Sequence, residues 1–513
     1  MRIGTGLSVG LVGLKAFTIQ AQAFISPGLP YFSIIGLPDA SLSESRERVK
    51  SACAAAGFKW PETRVTVNLS PASMPKHGSI HDLAIAVAVL DAAGTIPGQA
   101  FEGALTLGEL NLDGSVLPVN GLLPILLHAR EQGVKRAYLP YGNLEEARMV
   151  PGIDVVGVRH LGELIEQVGG KAKYHPSDCP QTPTGSSEPG AGNSPSQGKR
   201  LDMAQVVGQE QTKWALTVAA AGGHHMLMTG PPGSGKTMLA SRLPSIMPPL
   251  AQKEQLEVAS IRSICGDLQQ YGISDVPPFE APHHTASTAS LVGGGSGVAL
   301  PGAITRAHCG VLFMDEAPEF SPRALQTLRE PLETGRVFLS RAKGTASYPA
   351  RFQLVMAANP CPCGYGYGTG ERCTCSSRER TRYWNRLSGP ILDRIDIQVT
   401  VPPVSSLLTS ATEPRRTSAQ IRALATQARA AARARFAKQG WTCNAQASGE
   451  WLRRETSAKA ISLVNAALEG KRLSLRGADR AMRLAWTIAD LDGRTSPRAE
   501  DVNAGIMMRT RLQ

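Results

Sequence analysis

Two hydrophobic patterns alternate along residues 1–170. Short runs rich in β-branched and aromatic residues alternate with longer runs whose apolar positions recur every three or four residues, which predicts strands alternating with helices. The predicted strands are Phe17–Ala23, Tyr31–Ile35, Arg64–Leu69 and Ala104–Leu110, and the predicted helices are Ser43–Ala56, Ile80–Ala93 and Leu122–Gln132. We therefore expect a mixed α/β domain over residues 1–170.

The pattern changes twice in the rest of the chain. Residues 171–200 are dense in Pro, Gly and Ser and offer almost nothing to bury, which is typical of a flexible linker. Residues 201–402 return to an α/β pattern, and residues 403–513 become rich in Ala, Leu and Arg with helical spacing. The expected fold class is α/β, with a helical domain at the C-terminal end.

The length of 513 residues exceeds what one hydrophobic core supports, so several domains are expected. The longest uninterrupted apolar run, Leu83–Leu90, is too short to cross a bilayer. Glycines interrupt the apolar N-terminal stretch, which argues against a signal peptide. Nine cysteines without such a peptide argue against a disulfide framework. We expect a cytoplasmic protein with no membrane partner.

The net charge of +12 lies in the C-terminal part of the chain. From Arg378 to the end there are 24 Lys and Arg against 12 Asp and Glu, so the remaining residues sum to zero. Such a block is either a solvated surface or an electrostatic footprint for nucleic acid. Composition alone leaves both readings open.

A phosphate-binding loop follows the buried run His225–Thr229. The loop is Gly230, Pro231, Pro232, Gly233, Ser234, Gly235, Lys236 and Thr237, and a helical segment comes next. This is the G-x-x-x-x-G-K-[ST] motif in its strand, loop, helix setting. Backbone N–H groups would surround phosphate oxygens of ATP, Lys236 would reach the β- and γ-phosphates, and Thr237 would bind Mg²⁺.

Two further apolar runs end in polar residues that complete such a site. The run Gly310–Met314 leads into Asp315 and Glu316, and the run Phe352–Ala357 leads to Asn359. Asp315 would hold the Mg²⁺ shell, and Glu316 would polarise the attacking water. The amide of Asn359 would orient that water.

Four cysteines form a cluster that we call the cysteine knuckle, residues 361–375. Its thiols belong to Cys361, Cys363, Cys373 and Cys375, with glycines between the two C-x-C pairs. Four thiolates can close a tetrahedral Zn²⁺ site, although C-x-C is tighter than the usual C-x2-C spacing and reduced, unliganded thiols are the alternative. Tyr383 and Trp384, among the arginines that follow, suit either base stacking or a core.

With these motifs, the chain resembles the ComM/YifB family of magnesium-chelatase-like AAA+ proteins. The resemblance includes the entry segment Val207–Glu210 and the long segment that runs from Ala281 to Glu316, and it covers nearly everything except the linker. It implies a homo-hexameric ring with ATP held between subunits. It also implies an arginine finger at Arg394 and a lid arginine, called sensor 2, at Arg476. A surface ion pair is the alternative for both arginines, and Arg480 and Arg483 compete with Arg476.

The segment Gly335–Arg351 predicts a hairpin just before the Asn359 strand. Similar motors in the helicase branch of the clade aim such a hairpin into the ring channel, where Arg341 and Lys343 would grip a DNA backbone. A solvated hairpin tip is the alternative. His283 and His284, in the Gly- and Ser-rich insert upstream, are expected to be structural.

Residues 1–165 resemble the proteolytic domain of Lon without its chemistry. Ile80 stands where Lon places its nucleophilic serine, and the segment Leu122–Ile125 stands where its lysine belongs. Ser79 would match only under a shifted alignment. Peptide cleavage through an acyl-enzyme is therefore not expected.

The resemblance implies a hexameric DNA helicase that drives branch migration while transforming DNA is integrated by homologous recombination. Single-stranded and branched DNA would be its partners, with recombination proteins as further candidates. The alternative is a chelatase-type motor subunit that acts on a protein partner. Both use ATP and Mg²⁺.

Overall fold

The computed structural model describes residues 2–35, 40–74, 76, 78–174, 201–294, 300–341, 344–387, 389–403 and 415–509. Most of the predicted linker lies outside these ranges. Its first residues, 171–174, pack on the N-terminal region, where Lys173 donates its backbone N–H to Ala56 and Tyr174 stacks on His160. Among the helices of the described ranges, none has the length and apolar character needed to span a bilayer.

The N-terminal region is a seven-stranded mixed sheet with helices, as the α/β pattern predicted. Its strands are β1 (Ile3–Val12), β2 (Lys15–Ser26), β3 (Tyr31–Ile35), β4 (Arg64–Ser70), β5 (Ala104–Thr106), β6 (Glu109–Leu110), β7 (Val116–Leu117), β8 (Arg136–Pro140) and β9 (Asp154–Val158). Its helices are α1 (Ala40–Ala55), α2 (Asp82–Ala92), α3 (Leu122–Glu131), α4 (Leu144–Ala147) and α5 (Leu161–Gln167). The order across the sheet is β3-β4-β2-β1-β5-β8-β9, and β6 pairs separately with β7.

Glycines on β1 allow the buried helix α2 to lie directly against the sheet. A Cβ atom on Gly4 would be 2.0 Å from the carbonyl oxygen of Ala88, and one on Gly6 would be 2.4 Å from that of Ala84. Since a side chain at either position would collide with the helix backbone, α2 packs there only because both residues are glycine.

The central region is built on a five-stranded parallel sheet. Its strands and hairpins are β10 (Met226–Thr229), β11 (Phe279–Glu280), β12 (Gly293–Gly294), β13 (Leu300–Pro301), β14 (Val311–Met314), β15 (Arg336–Arg341), β16 (Gly344–Pro349), β17 (Gln353–Ala358) and β18 (Ile397–Thr400). The order of the sheet is β11-β14-β17-β10-β18, and every neighbouring pair is parallel. The carboxyl ends of β14, β17 and β10 therefore lie side by side at one edge.

Short helices surround this sheet. They are α6 (Glu210–Gly222), α7 (Lys236–Ala240), α8 (Leu243–Ile246), α9 (Gln252–Cys265), α10 (Leu268–Tyr271), α11 (Thr288–Val292), α12 (Ala303–Arg306), α13 (Pro322–Gln326), α14 (Arg329–Thr334), α15 (Ser377–Asn385) and α16 (Gly389–Leu392). Beyond Arg415 the described chain is helical, as predicted: α17 (Ser418–Arg435), α18 (Gly449–Glu455), α19 (Ala458–Glu469), α20 (Leu475–Leu491) and α21 (Ala499–Arg509).

The N-terminal region packs on the central one through helix α9. Ser263 accepts a hydrogen bond from the backbone of Leu123 at 3.2 Å and donates one to the buried carboxylate of Glu146 at 2.5 Å. Burial raises the pKa of Glu146, which Ser263 and the N–H of Leu123 partly offset. Ala259 and Leu268 are buried in the same apolar cluster as the helix α3. The contact between the two regions is thus a packed interface.

Candidate active site

The phosphate loop begins at the end of β10 and closes at the start of α7. Gly233 and Gly235 have φ angles of 76° and 88°, in the left-handed region that favours glycine. A Cβ on Gly230 would lie 2.3 Å from the carbonyl oxygen of Val401, which explains the glycine there. These glycines give the loop the curvature that a phosphate-binding cradle needs.

Lys236 lies inside this loop and is only 8% exposed. Its ammonium donates to the carbonyl oxygens of Gly230 at 2.7 Å and Pro231 at 3.0 Å, and to Oδ1 of Asn359 at 3.1 Å. Burial lowers the pKa of Lys236, and the carboxylates of Asp315 and Glu316 partly offset this. Its position inside the cradle fits a triphosphate.

A second feature of the loop fits a phosphate ligand. The hydroxyl of Ser234 is buried, and within the described chain it has no hydrogen-bond partner. A buried polar atom without a partner is costly. A phosphate oxygen in the cradle would satisfy it.

Thr237 and Asp315 meet across the sheet edge. Oγ1 of Thr237 donates to Oδ2 of Asp315 at 2.6 Å, and Oδ1 of Asp315 accepts from the backbone N–H of Glu316 at 3.0 Å. The strand β14, which Asp315 directly follows, is buried throughout. A hydroxyl and a carboxylate held together are the oxygen ligands that Mg²⁺ takes in nucleotide sites, so this pair fits the ion.

Glu316 follows with a φ of 49°, a left-handed conformation that is unusual for a residue other than glycine. Its Oε2 lies 3.4 Å from Nδ1 of His284. The ring of His284 lies 4.1 Å from that of His283, tilted by 34°, and Nδ1 of His283 contacts Oγ1 of Thr285 at 2.7 Å. The sequence suggested only a structural role for His284, and its contact with the expected water-activating carboxylate depends on the fold.

Asn359 stands at the end of β17, between the two other strands of the site. Its side-chain oxygen faces Lys236, and Tyr383 forms a hydrogen bond with its backbone. The structure thus brings together Lys236, Thr237, Asp315, Glu316 and Asn359, while their roles in hydrolysis stay predictions.

Arg394 is engaged within its own chain. Its guanidinium forms an ion pair with Glu333 and donates to the carbonyl of Pro390 at 2.6 Å. Burial and the nearby positive charges lower its pKa. A finger role would require the Glu333 pair to open, so the finger stays a prediction beside the ion-pair alternative.

Three arginines on α20 were candidates for the lid role. Arg480 forms a buried ion pair with Asp396, and Arg483 donates to the carbonyl of Ala447 at 2.8 Å. The side chain of Arg476 is 75% exposed and lies 3.5 Å from Asp393. Of the three, Arg476 is the one with freedom to reach a ligand.

The cysteine knuckle brings its four thiols together. The Sγ of Cys361 lies 3.2 Å from that of Cys363 and 3.6 Å from that of Cys373, and all four sulfurs lie within 4.8 Å of one another. Zn–S bonds of about 2.3 Å in a tetrahedron imply sulfurs about 3.8 Å apart, so the group fits Zn²⁺ far better than a disulfide. Hydrogen bonds to its sulfur, the largest contribution being that of the Tyr365 backbone N–H, lower the pKa of Cys363 to about 6.

The helix α15 follows the knuckle and exposes Arg378, Arg380 and Arg382. Among the described carboxylates, none pairs with these three guanidinium groups. Tyr383 is 4% exposed, and the indole of Trp384 donates to the carbonyl of Pro360 at 3.0 Å. Tyr383 belongs to the core and Trp384 packs against it partly buried, which favours the core alternative over base stacking.

The hairpin predicted before β17 is present, with Arg341 of β15 opposite Gly344 of β16. Lys343 lies outside the described residues, as does the side chain of Arg341. Contact of these two residues with DNA stays a prediction.

The N-terminal region has an apolar core where Lon carries its lysine. Leu122, Leu123, Pro124 and Ile125 are all buried at the start of α3. Lys76 is buried too, and its ammonium donates to the carbonyl of Pro71. The expectation that this region does not cleave peptides through a Ser–Lys pair rests on these residues.

A second group with metal-ligand chemistry lies at the opposite ends of the strands. Glu257 of α9 accepts from His308 at 2.9 Å and from Arg351 at 2.9 Å, and Cys309 lies 3.2 Å from His308. Since Arg351 already supplies a positive charge to the carboxylate, we interpret the group as a hydrogen-bond network. It fixes the starts of β14 and β17.

Comparisons with known proteins agree with this architecture. Three family models match: "Magnesium chelatase, subunit ChlI" over residues 202–408, "Subunit ChlI of Mg-chelatase" over 21–143, and "Magnesium chelatase, subunit ChlI C-terminal" over 415–509. An uncharacterised protein of Mycobacterium tuberculosis, Rv2897c, is 46% identical over 99% of both chains. The competence protein ComM of Haemophilus influenzae is 37% identical over 94% of this chain and 92% of its own.

A shorter match concerns the N-terminal region. Lon protease 2 of Bacillus subtilis is 33% identical over 144 residues, which are 27% of this chain and 26% of that protein. Together with the parallel sheet, the phosphate loop and the helical C-terminal region, these matches show that the chain belongs to the ComM/YifB family of magnesium-chelatase-like AAA+ ATPases.

Proposed function

We propose that this protein is an ATP-driven hexameric ring motor that acts on DNA. It promotes branch migration, as a helicase, while transforming DNA is integrated by homologous recombination. The name of the relative ComM, a competence protein, supports the biological setting. The observation that carries the motor assignment is the meeting of Lys236, Thr237, Asp315 and Asn359 at one sheet edge.

The proposed hydrolysis step assigns one role to each of these side chains. Lys236 would balance the charge of the β- and γ-phosphates, and Thr237 and Asp315 would hold Mg²⁺, which would supply positive charge to the phosphate oxygens. Glu316 polarises a water for in-line attack, and Asn359 orients that water. Arg394 of a neighbouring subunit completes the charge balance at the γ-phosphate. Arg476, on the helical lid, approaches the same nucleotide as the sensor 2 arginine.

DNA would be held by positive charge beside the site. The three exposed arginines of α15 lie next to the cysteine knuckle, with Arg378 and Arg382 one turn apart on the same face of the helix. Arg341 and Lys343 belong to the hairpin that precedes β17. Phosphate neutralisation by such groups releases counterions and makes the affinity fall with salt. Zn²⁺ bound in the knuckle would hold the N-terminal end of α15 in place, because that helix begins two residues after Cys375.

The alternative is a chelatase-type motor subunit that acts on a protein partner. The match of the magnesium chelatase model over residues 202–408 favours it. The two proposals share the ATP chemistry and differ in what stimulates it.

The test is ATP turnover by the purified full chain with no DNA, single strands, duplex, or a three-way junction. The DNA proposal expects stimulation, strongest with single-stranded or branched DNA, and a stimulated rate that falls with salt. A triple Arg378→Ala, Arg380→Ala, Arg382→Ala variant should lose the stimulation. A matched triple variant at the exposed residues Lys459, Lys471 and Arg472 removes equal charge and should keep it. A wild-type rate indifferent to every DNA would favour the protein-partner alternative.

A further inference from the structure

The cysteine knuckle touches the phosphate loop. Gly364, which directly follows Cys363, is buried with a φ of 83°, and a Cβ there would lie 2.6 Å from Cγ of Pro232. Pro232 is a residue of the ATP cradle itself. The knuckle backbone therefore lies in van der Waals contact with the loop that holds the phosphates, with no room for a side chain between them.

The knuckle is also joined to the third strand of the site. Cys361 comes two residues after Asn359, whose side chain contacts Lys236 at 3.1 Å. The carbonyl of Pro360, between them, is held by the indole N–H of Trp384 at 3.0 Å. A change in the shape of the knuckle would reach the ATP cradle through Pro232 on one side and through Asn359 on the other.

The thiols determine that shape. The Sγ of Cys361 accepts the N–H of Gly366 at 3.1 Å, and a Cβ on Gly366 would lie 3.0 Å from the same sulfur. The loop between the two C-x-C pairs is thus wrapped closely around the sulfurs. Four thiolates crowded together repel one another unless a cation neutralises them, so a bound metal and this loop shape depend on each other.

We propose that the cysteine knuckle is a zinc-dependent support for the phosphate loop, in which a tetrathiolate Zn²⁺ site holds Gly364 against Pro232 and so sets the affinity for ATP. The inference rests on the proposed function, because it takes from it the ATP cradle and the zinc ion. Metal binding displaces the thiol protons to solvent and changes no oxidation state. Loss of the metal would loosen the support and weaken nucleotide binding.

The experiment measures zinc content and nucleotide binding separately. The full chain is purified with Zn²⁺ under reducing conditions, zinc is counted by plasma mass spectrometry, and the dissociation constant of a fluorescent ATP analogue is measured with Mg²⁺. We expect about one zinc per chain. Chelation followed by dialysis into Mg²⁺, or the change Cys363→Ser, should remove the zinc. Either should raise the dissociation constant of the analogue about tenfold, which is about 1.4 kcal/mol of binding free energy. Zinc added back to the chelated protein should restore binding.

A pair of glycine variants separates contact with Pro232 from backbone strain. Gly364→Ala should keep the zinc and still weaken binding of the analogue, because the new Cβ displaces Pro232. Gly368 lies in the same loop with a φ of 63° and nothing within 4 Å of its Cβ position. Gly368→Ala carries a similar strain, so it should keep both the zinc and the affinity. Thermal unfolding of each variant identifies any that fails to fold.

Two results would overturn the inference. One is a wild-type chain without zinc, and the other is analogue binding that is unchanged in zinc-free protein, Cys363→Ser and Gly364→Ala. Neither readout involves DNA, so the inference, which needs only the ATP cradle and the zinc ion, can hold even if DNA fails to stimulate turnover. Conversely, DNA can stimulate turnover in a chain whose knuckle plays no part in nucleotide binding.

Discussion

Oγ1 of Thr237 lies 2.6 Å from Oδ2 of Asp315, although the two residues belong to different segments of the chain. Thr237 stands in the first turn of α7, and Asp315 directly follows β14. Because β10 and β14 are parallel strands of one sheet, the loop after each reaches the same edge, where ligands bind in open α/β folds. The pair places a hydroxyl and a carboxylate, oxygen groups of the kind that Mg²⁺ takes in nucleotide sites, beside the cradle of Lys236.

Replacing Asn359 tests the role of the third strand. Asn359→Ala removes the amide that faces Lys236 and would orient the attacking water. We expect kcat for ATP to fall about 100-fold, as for other preorganised hydrogen-bonding groups, with KM changed by less than about threefold. Steady-state hydrolysis checks both constants. An unchanged kcat would remove Asn359 from the mechanism.

Replacing His284 tests its contact with Glu316. His284→Ala removes the ring whose Nδ1 lies 3.4 Å from Oε2 of Glu316, so the carboxylate should turn more freely towards the attacking water. The contact is half exposed, and we expect the rate without DNA to rise only about threefold.

Two variants control for this change. His284→Gln keeps an N–H donor and should remain near the wild-type rate, and His128→Ala removes a histidine of the N-terminal region. A fall in the rate of His284→Ala would show instead that His284 orients Glu316 for attack.

The ion pair of Asp396 with Arg480 should make the free energy of unfolding depend on pH. Burial alone would raise its pKa, but the Arg480 guanidinium, with His224, outweighs this and holds the pKa of the carboxyl well below its usual range. As the pH falls, the unfolded chain takes up the proton first, near pH 4. The stabilisation is therefore fully present above about pH 4 and is lost below it.

The variant Asp396→Asn measures that contribution. It leaves Arg480 buried without a counter-charge, which should cost about 3–5 kcal/mol in the free energy of unfolding at pH 7. The difference from wild type should stay constant from pH 8 to about 5 and shrink below about 4. Asp479→Asn, in the more exposed pair with Arg453, should cost less than about 1 kcal/mol. A loss of equal size in both variants would contradict the assignment.

Gly13 tests the packing of the N-terminal region on the hairpin. Gly13 is buried between β1 and β2 with a φ of 63°, and a Cβ there would lie 2.7 Å from the carbonyl oxygen of Ser347 on β16. Gly13→Ala should therefore push the two regions apart and speed hydrogen exchange in β16. Gly103 has a φ of 68° and nothing within 4 Å, so Gly103→Ala carries similar strain of about 1–2 kcal/mol without the collision. Equal exchange in both variants would contradict the contact.

The sequence predicts the parts of this molecule that depend on local pattern. The motif from Gly230 to Thr237 has its own strand, loop and helix, and the acidic pair at Asp315 ends an apolar strand, so both were recognisable without the fold. The strand β1 was not predicted, because Gly4, Gly6 and Gly10 hide its alternation. Gly4 and Gly6 are needed for the approach of α2, and Gly10 leaves room for the side chains of Phe17 and Ile19 on β2; both are tertiary requirements.

Contacts between distant segments could not be predicted in the same way. His284 meets Glu316, and Gly364 meets Pro232, only because parallel strands bring their loops together. The packing of α3 on α9 could not be predicted from the sequence either. The Pro-rich segment between the two regions indicated a flexible linker, which gives no reason to expect that the regions pack together. In each case the interaction depends on backbone geometry that single-sequence patterns do not encode.

The ATP site is tested most directly by comparing nucleotide binding with hydrolysis in three chains. Wild type should bind a fluorescent ATP analogue and hydrolyse ATP, Glu316→Gln should bind it and hydrolyse at least about 100-fold more slowly, and Lys236→Ala should lose both. Lys438→Ala, at an exposed lysine, should behave as wild type. Hydrolysis at the wild-type rate by Lys236→Ala and Glu316→Gln would contradict the site.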